Sequence, residues 1–376
     1  MEDRINLLDP HLSGNENYKI QDAFNKNEIS SIGNNVCEFK NKLVNYLKEP
    51  VHITLLNSGT SAIHLALMVL GVDRGDEVIC QSFTFCASAN PILYLGAKPI
   101  FIDSEIDTWN MSPFFLEEGI KNRIEKGKKP KAIIVVNSYG MPAKWDELKN
   151  ISIRYDIPII EDAAEALGSE YKGRKCGTFG DISIISFNTN KIITSAGGGA
   201  LVCNNKMIAE KVTYLATQAK EVANFYLHKE VGYNYVMNNV NASIGSAQMD
   251  MLDIRVQQKR EIHTFYKKLF DKIEGYDLLN SIGSAYFSNH WLNCILIDIN
   301  IVKKSNLELK EIFNKRKIET RLLWYPLHLQ PIHENYPFYG DNTCLKMFKS
   351  GLCLPSSTFL TELEIKRVSS ILTTLL

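Results

Sequence analysis

Between residue 50 and about residue 205 the chain repeats one theme. A short β-branched or apolar run ends in small or polar residues and is followed by a stretch of helical length. Short continuous apolar runs are what strands buried on both faces look like, and their alternation with helical stretches predicts a parallel sheet covered by helices. The runs are 53–56, 77–80, 99–102, 132–137, 157–161, 182–187 and 200–203, which gives a mainly parallel seven-stranded sheet. Helices are expected to begin near Thr60, Phe85, Pro142 and Lys206. From about Asp250 the pattern changes to a long charged amphipathic stretch at 255–273, a strand at 291–298, and helices near Leu307 and Thr361. The expectation is an α/β protein of two units: a large one over 1–250 that includes the N-terminal segment, and a smaller α+β unit over 251–376. No Pro- or Gly-rich linker lies between them, so the long helix is expected to join them.

Composition narrows the function classes. The 376 residues are 45% hydrophobic, with 42 Lys+Arg balanced by 42 Asp+Glu, so the chain is neither disordered nor fibrous and has a large core available. A net charge of zero leaves no global field for a polyanion; nucleic acid and anionic membranes are excluded as main partners, and any phosphate must be held locally. The start, Met1-Glu2-Asp3-Arg4, lacks the basic and apolar regions of a signal peptide, and no apolar run approaches the ~20 residues that span a bilayer. A cytoplasmic protein is expected. The eight cysteines are scattered without a CxxC pair and read as reduced core thiols. His328 and His333, five apart, are a loose pair, and no metal site is expected.

In open parallel sheets ligands bind beyond the carboxyl ends of the strands. Four such ends are chemically unusual. Asn57-Ser58-Gly59-Thr60-Ser61-Ala62 opens a helix with free amides, a glycine and hydroxyls, which is either a phosphate cup or a plain N-cap. It is not a Walker loop, and the chain has no GxGxxG. Glu161-Asp162-Ala163-Ala164-Glu165 places carboxylates directly on a buried run; Glu161 reads as a helix cap, while strand alternation aims Asp162 the other way, toward a ligand lying across the sheet. Lys191, between Asn188-Thr189-Asn190 and Ile192-Ile193, precedes Ala196-Gly197-Gly198-Gly199; it is either a solvated loop residue or a lysine in the apolar setting where its amine becomes nucleophilic. Gln81-Ser82-Phe83-Thr84-Phe85 offers aromatic rings that are either core or a plate for a planar cofactor. A phosphate cup, an aromatic plate, an acid and a shielded amine are the four parts that pyridoxal 5'-phosphate requires.

The same residues carry a resemblance. Segments 10–14 and 29–33, Asn57-Ser58-Gly59-Thr60, Gly75-Asp76-Glu77-Val78, Glu161-Asp162-Ala163-Ala164-Glu165-Ala166, Gly177-Thr178-Phe179-Gly180-Asp181, Ser186-Phe187 with Lys191, and Gly232-Tyr233-Asn234-Tyr235 together resemble the DegT/StrS-like sugar aminotransferases, of the aspartate-aminotransferase fold (fold type I), over nearly the whole chain. The resemblance implies that Lys191 carries pyridoxal 5'-phosphate covalently, that Asp162 pairs with the pyridine nitrogen and that Phe85 stacks on the ring. It implies that Ser58, Gly59, Thr60 and Ser186 hold the phosphate, and that Asn234 reaches the phosphate of the neighbouring subunit in a homodimer with shared active sites. Arg321, Trp324 and His328 are similar to the family's sugar-nucleotide contacts.

Two departures from the family pattern matter. Glu165 stands where Gln or His is common, close to the cofactor's 3-hydroxyl, and Ala196-Gly197-Gly198-Gly199 replaces Gly-Glu-Gly-Gly. Both are similar to enzymes that aminate UDP-linked 4-keto-6-deoxy-HexNAc, as in bacillosamine synthesis. The implied reaction moves an amino group from L-glutamate to the keto carbon, C4, of such a sugar. The alternatives are a GDP- or dTDP-linked keto sugar aminated at C4 or C3, and a PLP-binding sensor without turnover. A dehydratase of the same fold would need His in place of Lys191.

Overall fold

A computed structural model describes residues 3–374; Met1 and Glu2 of the acidic start, and the last two residues, lie outside the described residues. The central sheet is built from β1 (His52–Leu56), β2 (Glu77–Gln81), β3 (Lys98–Ile102), β4 (Ala132–Val136), β5 (Ile159–Asp162), β6 (Ile182–Ser186), β7 (Gly199–Cys203) and β8 (Phe338–Tyr339). Their spatial order is β1-β7-β6-β5-β4-β2-β3-β8, so the sheet has eight strands where seven were expected. The extra one, β8, comes from the C-terminal part of the chain and pairs parallel to β3 at the edge. All pairs from β6 to β8 are parallel, while β7 runs antiparallel to both β1 and β6. β4 is buried at every position, as its Ala-Ile-Ile-Val-Val sequence requires of a central strand covered on both faces.

Capping fixes the helices that face the strand ends. Ser58 caps Gly59–Val69, its side chain accepting from the Ser61 amide at 3.0 Å. Ser112, followed by Pro113, starts Pro113–Glu125. That helix is clamped to the sheet by a buried bidentate pair: Arg123 Nε and Nη2 donate to Glu77 Oε2 and Oε1 at 2.7 and 2.5 Å. The helix expected from Phe85 is two short pieces, Cys86–Ser88 and Asn90–Tyr94, the second started by Pro91.

A second, four-stranded antiparallel sheet joins Tyr276–Leu278, Asn293–Ile297, Gly351–Leu354 and Arg321–Leu322 in that order. It packs with Leu252–Phe270, Asn306–Lys315 and Glu362–Thr374 around Ile295, Phe313, Leu352 and Val368. Ile5 bridges to Ile318 within this unit, so the start of the described chain packs here rather than on the large sheet. The long amphipathic helix, Leu252–Phe270, carries a buried cation, Lys259, which is 4% exposed. Its Nζ donates to the carbonyls of Trp291 and Ser356 at 3.0 and 2.5 Å.

Burial without a counter-charge pushes the Lys259 amine down to about 7 from 10.5. Between these two values unfolding takes up a proton, so this group's contribution to stability rises with pH across that window and is flat below it. The melting temperature of the protein, measured relative to that of Lys259→Met, is therefore expected to climb from pH 7 to pH 9.5. A difference that stays constant over that range would contradict a neutral buried amine.

Candidate active site

The carboxyl ends of β1, β5 and β6 open on one cavity of about 330 Å³. On one wall the first-turn amides of Gly59 and Thr60, which have no partner inside their helix, meet the hydroxyl of Ser186 at the end of β6. The walls are too close for other residues. A Cβ on Gly199 would lie 2.4 Å from the Ser58 carbonyl carbon and 2.5 Å from the Gly59 nitrogen, and one on Gly59 would lie 3.2 Å from the Ser186 Cβ. The Ser186 hydroxyl accepts only a long bond, 3.4 Å, from the Asn188 amide and remains available to a ligand. Amides and hydroxyls converging at a helix start form a phosphate site.

Strand alternation sorts the two carboxylates of β5. Glu161 turns away from the cavity. It accepts from Asn137 Nδ2, Ser183 Oγ and the amides of Gly177 and Phe179 at 2.7–2.8 Å, so it ties the 177–180 turn to the sheet. It does not cap a helix as expected, because a turn rather than a helix follows β5. Asp162 faces the cavity at 4% exposure; Oδ2 accepts from Ser88 Oγ at 2.7 Å and Oδ1 from the Ala164 amide at 3.1 Å. Burial raises its pKa, opposed by Ser88, by Ala164 and by the charge of Lys191. A protonated ring nitrogen placed against Asp162 would offset that burial.

Lys191 enters from the loop after β6. Its Nζ stands 3.6 Å from Glu165 Oε1 and 4.4 Å from the centroid of the Trp291 ring. Glu165 is itself fixed by the Tyr139 amide, which donates to Oε2 at 2.7 Å. Burial raises the Glu165 pKa, and the nearby Lys191 charge is the strongest opposing influence. Trp291 lines the cavity beside the lysine, and the sequence did not single it out, because it stands at the start of an apolar, strand-like run. Its Nε1 donates to the Asn190 carbonyl at 2.7 Å, locking the lysine loop to the smaller unit.

The rim is aromatic. Phe85 is 52% exposed and lies 5.5 Å from Trp324, centroid to centroid; Trp324 in turn stacks on Tyr139 at 5.9 Å, and its backbone amide donates to the Tyr139 hydroxyl at 2.9 Å. Arg321 lines the same rim and pairs with Glu319 at 3.2 Å.

The structure thus gathers Ser58, Gly59, Thr60, Ser186, Asp162 and Lys191, with Phe85, Glu165, Arg321 and Trp324, around one space. His328 and Asn234 do not line this cavity. His328 is 9% exposed, with Nδ1 2.7 Å from Ser82 Oγ and its ring stacked on Phe338 at 3.6 Å. It packs against the end of β2 through Ser82 and against β8 through Phe338. Asn234 is exposed outside its own chain's cavity, where its carbonyl accepts from Asn57 Nδ2 at 3.3 Å.

The donor set fits pyridoxal 5'-phosphate: the cup at Gly59, Thr60 and Ser186 suits the phosphate, buried Asp162 the pyridine nitrogen, Phe85 the ring face and Lys191 the aldehyde.

The comparisons agree. The pattern described as the DegT/DnrJ/EryC1/StrS aminotransferase family matches residues 10–373. The chain is 44% identical to EpsN of Bacillus subtilis, assigned as a pyridoxal phosphate-dependent aminotransferase, over 99% of this chain and 96% of that one. It is 38% identical to a GDP-perosamine synthase of Escherichia coli O157:H7, over 96% and 95% of the two chains. Among solved structures it is similar to the PLP form of Spr1654 from Streptococcus pneumoniae, assigned as a sugar aminotransferase, with a TM-score of 0.89, 25% identity and 100% of both chains covered. The chain belongs to the DegT/DnrJ/EryC1/StrS aminotransferase family and is a pyridoxal 5'-phosphate-dependent aminotransferase.

Proposed function

We propose that this chain moves an amino group from L-glutamate to C4 of a nucleotide-linked 4-keto-6-deoxy sugar, with the UDP-linked sugar as the first reading. The observation that carries the proposal is Lys191 and Asp162 facing one cavity whose open rim, formed by Phe85, Trp324 and Arg321, leaves room for a large second substrate. UDP rests on the Asn188 to Gly199 loop and on Glu165, which are similar to the UDP-sugar subgroup. A GDP-linked sugar is the second reading, favoured by the likeness to GDP-perosamine synthase.

Bound pyridoxal 5'-phosphate supplies an aldehyde carbon that exchanges amino groups and a pyridine ring that withdraws electrons from the bond being broken. The protein's residues divide the remaining work. The Lys191 amine would hold the cofactor through its aldehyde carbon and, when free, is the base placed to move a proton from the donor's α-carbon. The same amine would serve as the acid–base group toward the sugar. Asp162 keeps a proton on the pyridine nitrogen, and the Gly59–Thr60 amides with Ser186 anchor the phosphate. Glu165 orients the amine from one side while the Trp291 ring covers it from the other and excludes water. Arg321 and Trp324 contact the sugar nucleotide at the rim.

The active unit is a homodimer in which Asn234 reaches the neighbour's phosphate cup; its position outside its own cavity supports this arrangement. Inactive Lys191→Ala and Asn234→Asp chains, mixed and exchanged, should recover roughly a quarter of full activity, since half the dimers are mixed and each has one intact site. No recovery would mean that each chain builds its site alone.

A panel of UDP-, GDP- and dTDP-linked keto sugars, with L-glutamate as donor and release of 2-oxoglutarate as the readout, tests the function. Turnover of the UDP-linked 4-keto sugar ahead of the others is expected; a preference for the GDP sugar selects the second reading, and no turnover of any removes the proposal. Asp162→Asn should keep the fold and bind the cofactor but turn over about 100- to 1000-fold more slowly, the equivalent of roughly 3 to 4 kcal/mol in the transition state. A near-normal rate would reduce Asp162 to a structural role.

A further inference from the structure

Native structures rarely leave a buried side-chain oxygen or nitrogen without a partner, so each such atom asks for an explanation. Among the described residues two of these atoms belong to residues that line the active-site cavity: Asn190 Oδ1 and Trp324 Nε1. One is an acceptor in the lysine loop and the other a donor on the rim. Asn190 is adjacent to Lys191 in the chain, and its backbone is immobilised by the 2.7 Å hydrogen bond from Trp291 Nε1 to its carbonyl. Its main chain is therefore tied to the smaller unit, while its side-chain oxygen stands unused beside the reacting centre.

We propose that Asn190 is a specificity-determining residue, whose side-chain amide binds a hydroxyl of the sugar on a carbon next to the one that receives the amino group. The proposal rests on the sugar-aminotransferase function given above. The chemistry of the orphaned atom chooses between the two substrates. An acceptor needs a donor, and L-glutamate donates only through its ammonium group, the group that reacts at Lys191; its carboxylates only accept. In a 4-keto-6-deoxy sugar the neighbouring C3 carries a hydroxyl able to donate, while C5, on the other side, carries only the methyl group and the ring oxygen. Trp324 Nε1 supplies the complementary donor for an oxygen of the same ligand. A site that leaves a buried polar atom to be satisfied by a substrate hydroxyl discriminates strongly against an analogue that lacks it, because the atom then remains unpaired. Trp291 is the positioning residue in this arrangement. It acts through the Asn190 carbonyl, and its own backbone carbonyl is held by Lys259 at 3.0 Å.

The test uses the holoenzyme, the nucleotide sugar that the wild type aminates in the panel, and the analogue of that sugar that lacks the hydroxyl on the carbon next to the aminated position, C3 for a 4-keto-6-deoxy sugar. Dissociation constants are measured by calorimetry, and KM values for the sugar and for L-glutamate are measured alongside. The wild type should bind the parent sugar at least tenfold more tightly than the deoxy analogue. Asn190→Ala should abolish that preference and raise the KM of the sugar at least tenfold more than that of L-glutamate. Asn190→Asp, which keeps an acceptor oxygen at the same place, should retain a preference for the parent sugar, and melting curves of both variants check the fold. The proposal is overturned if Asn190→Ala keeps the preference, if the wild type has none, or if both KM values rise equally. A wild type that aminates no nucleotide sugar overturns the function itself, and is told apart from these results in the panel before any variant is made.

Discussion

The site depends on one costly arrangement: a carboxylate, Asp162, kept at 4% exposure at the end of β5 with only a serine hydroxyl and one backbone amide as donors. Burial alone drives such a group toward its neutral form. What makes the position tenable in the working enzyme is a cation in the cavity, and the geometry provides for two, the Lys191 amine and a protonated cofactor ring. The strand places Asp162 by simple alternation. Its neighbour Glu161, satisfied by five donors on the far face, shows the same carboxylate chemistry used for architecture instead.

The second constraint is closeness. Gly199 and Gly59 allow the end of the sheet and the first turn of the Gly59–Val69 helix to approach so tightly that a methyl group on Gly199 would overlap main-chain atoms. Rigid backbone on both sides suits a cup in which amides, rather than flexible cations, would hold a phosphate in a chain without net charge. The lysine loop needs a separate anchor, since it lies between β6 and β7 without regular structure. Trp291 provides it from the smaller unit, and Lys259 carries the restraint back into the long helix. The Leu252–Phe270 helix is therefore linked through Trp291 to the residue next to Lys191.

Most of the large unit was legible because buried parallel strands write themselves as continuous apolar runs, and all seven expected runs are strands of the central sheet. The antiparallel direction of β7 was not legible: burial on both faces leaves the same pattern for either direction. β8 escaped notice because it has only two residues between Pro337 and Gly340, too short for any period. Within the site, strand alternation separated Asp162 from Glu161 correctly, and the resemblance supplied the cup and the lysine. Trp291 and Asn190 were beyond reach, since their roles arise from a contact about a hundred residues apart in sequence. His328 lies outside the cavity lining, and a histidine beside aromatic and proline residues looks alike in the sequence whether it faces a ligand or, as here, stacks on a neighbouring ring.

The central claim is that Lys191 is the amine that carries the cofactor. Borohydride reduction of the holoenzyme followed by peptide mass mapping tests it directly, because reduction fixes the lysine–cofactor bond permanently. The account predicts one phosphopyridoxyl group per chain, on the peptide containing Lys191, and none in Lys191→Ala. A label on any other lysine, the buried Lys259 included, or a Lys191→Ala protein that is still labelled, would contradict it.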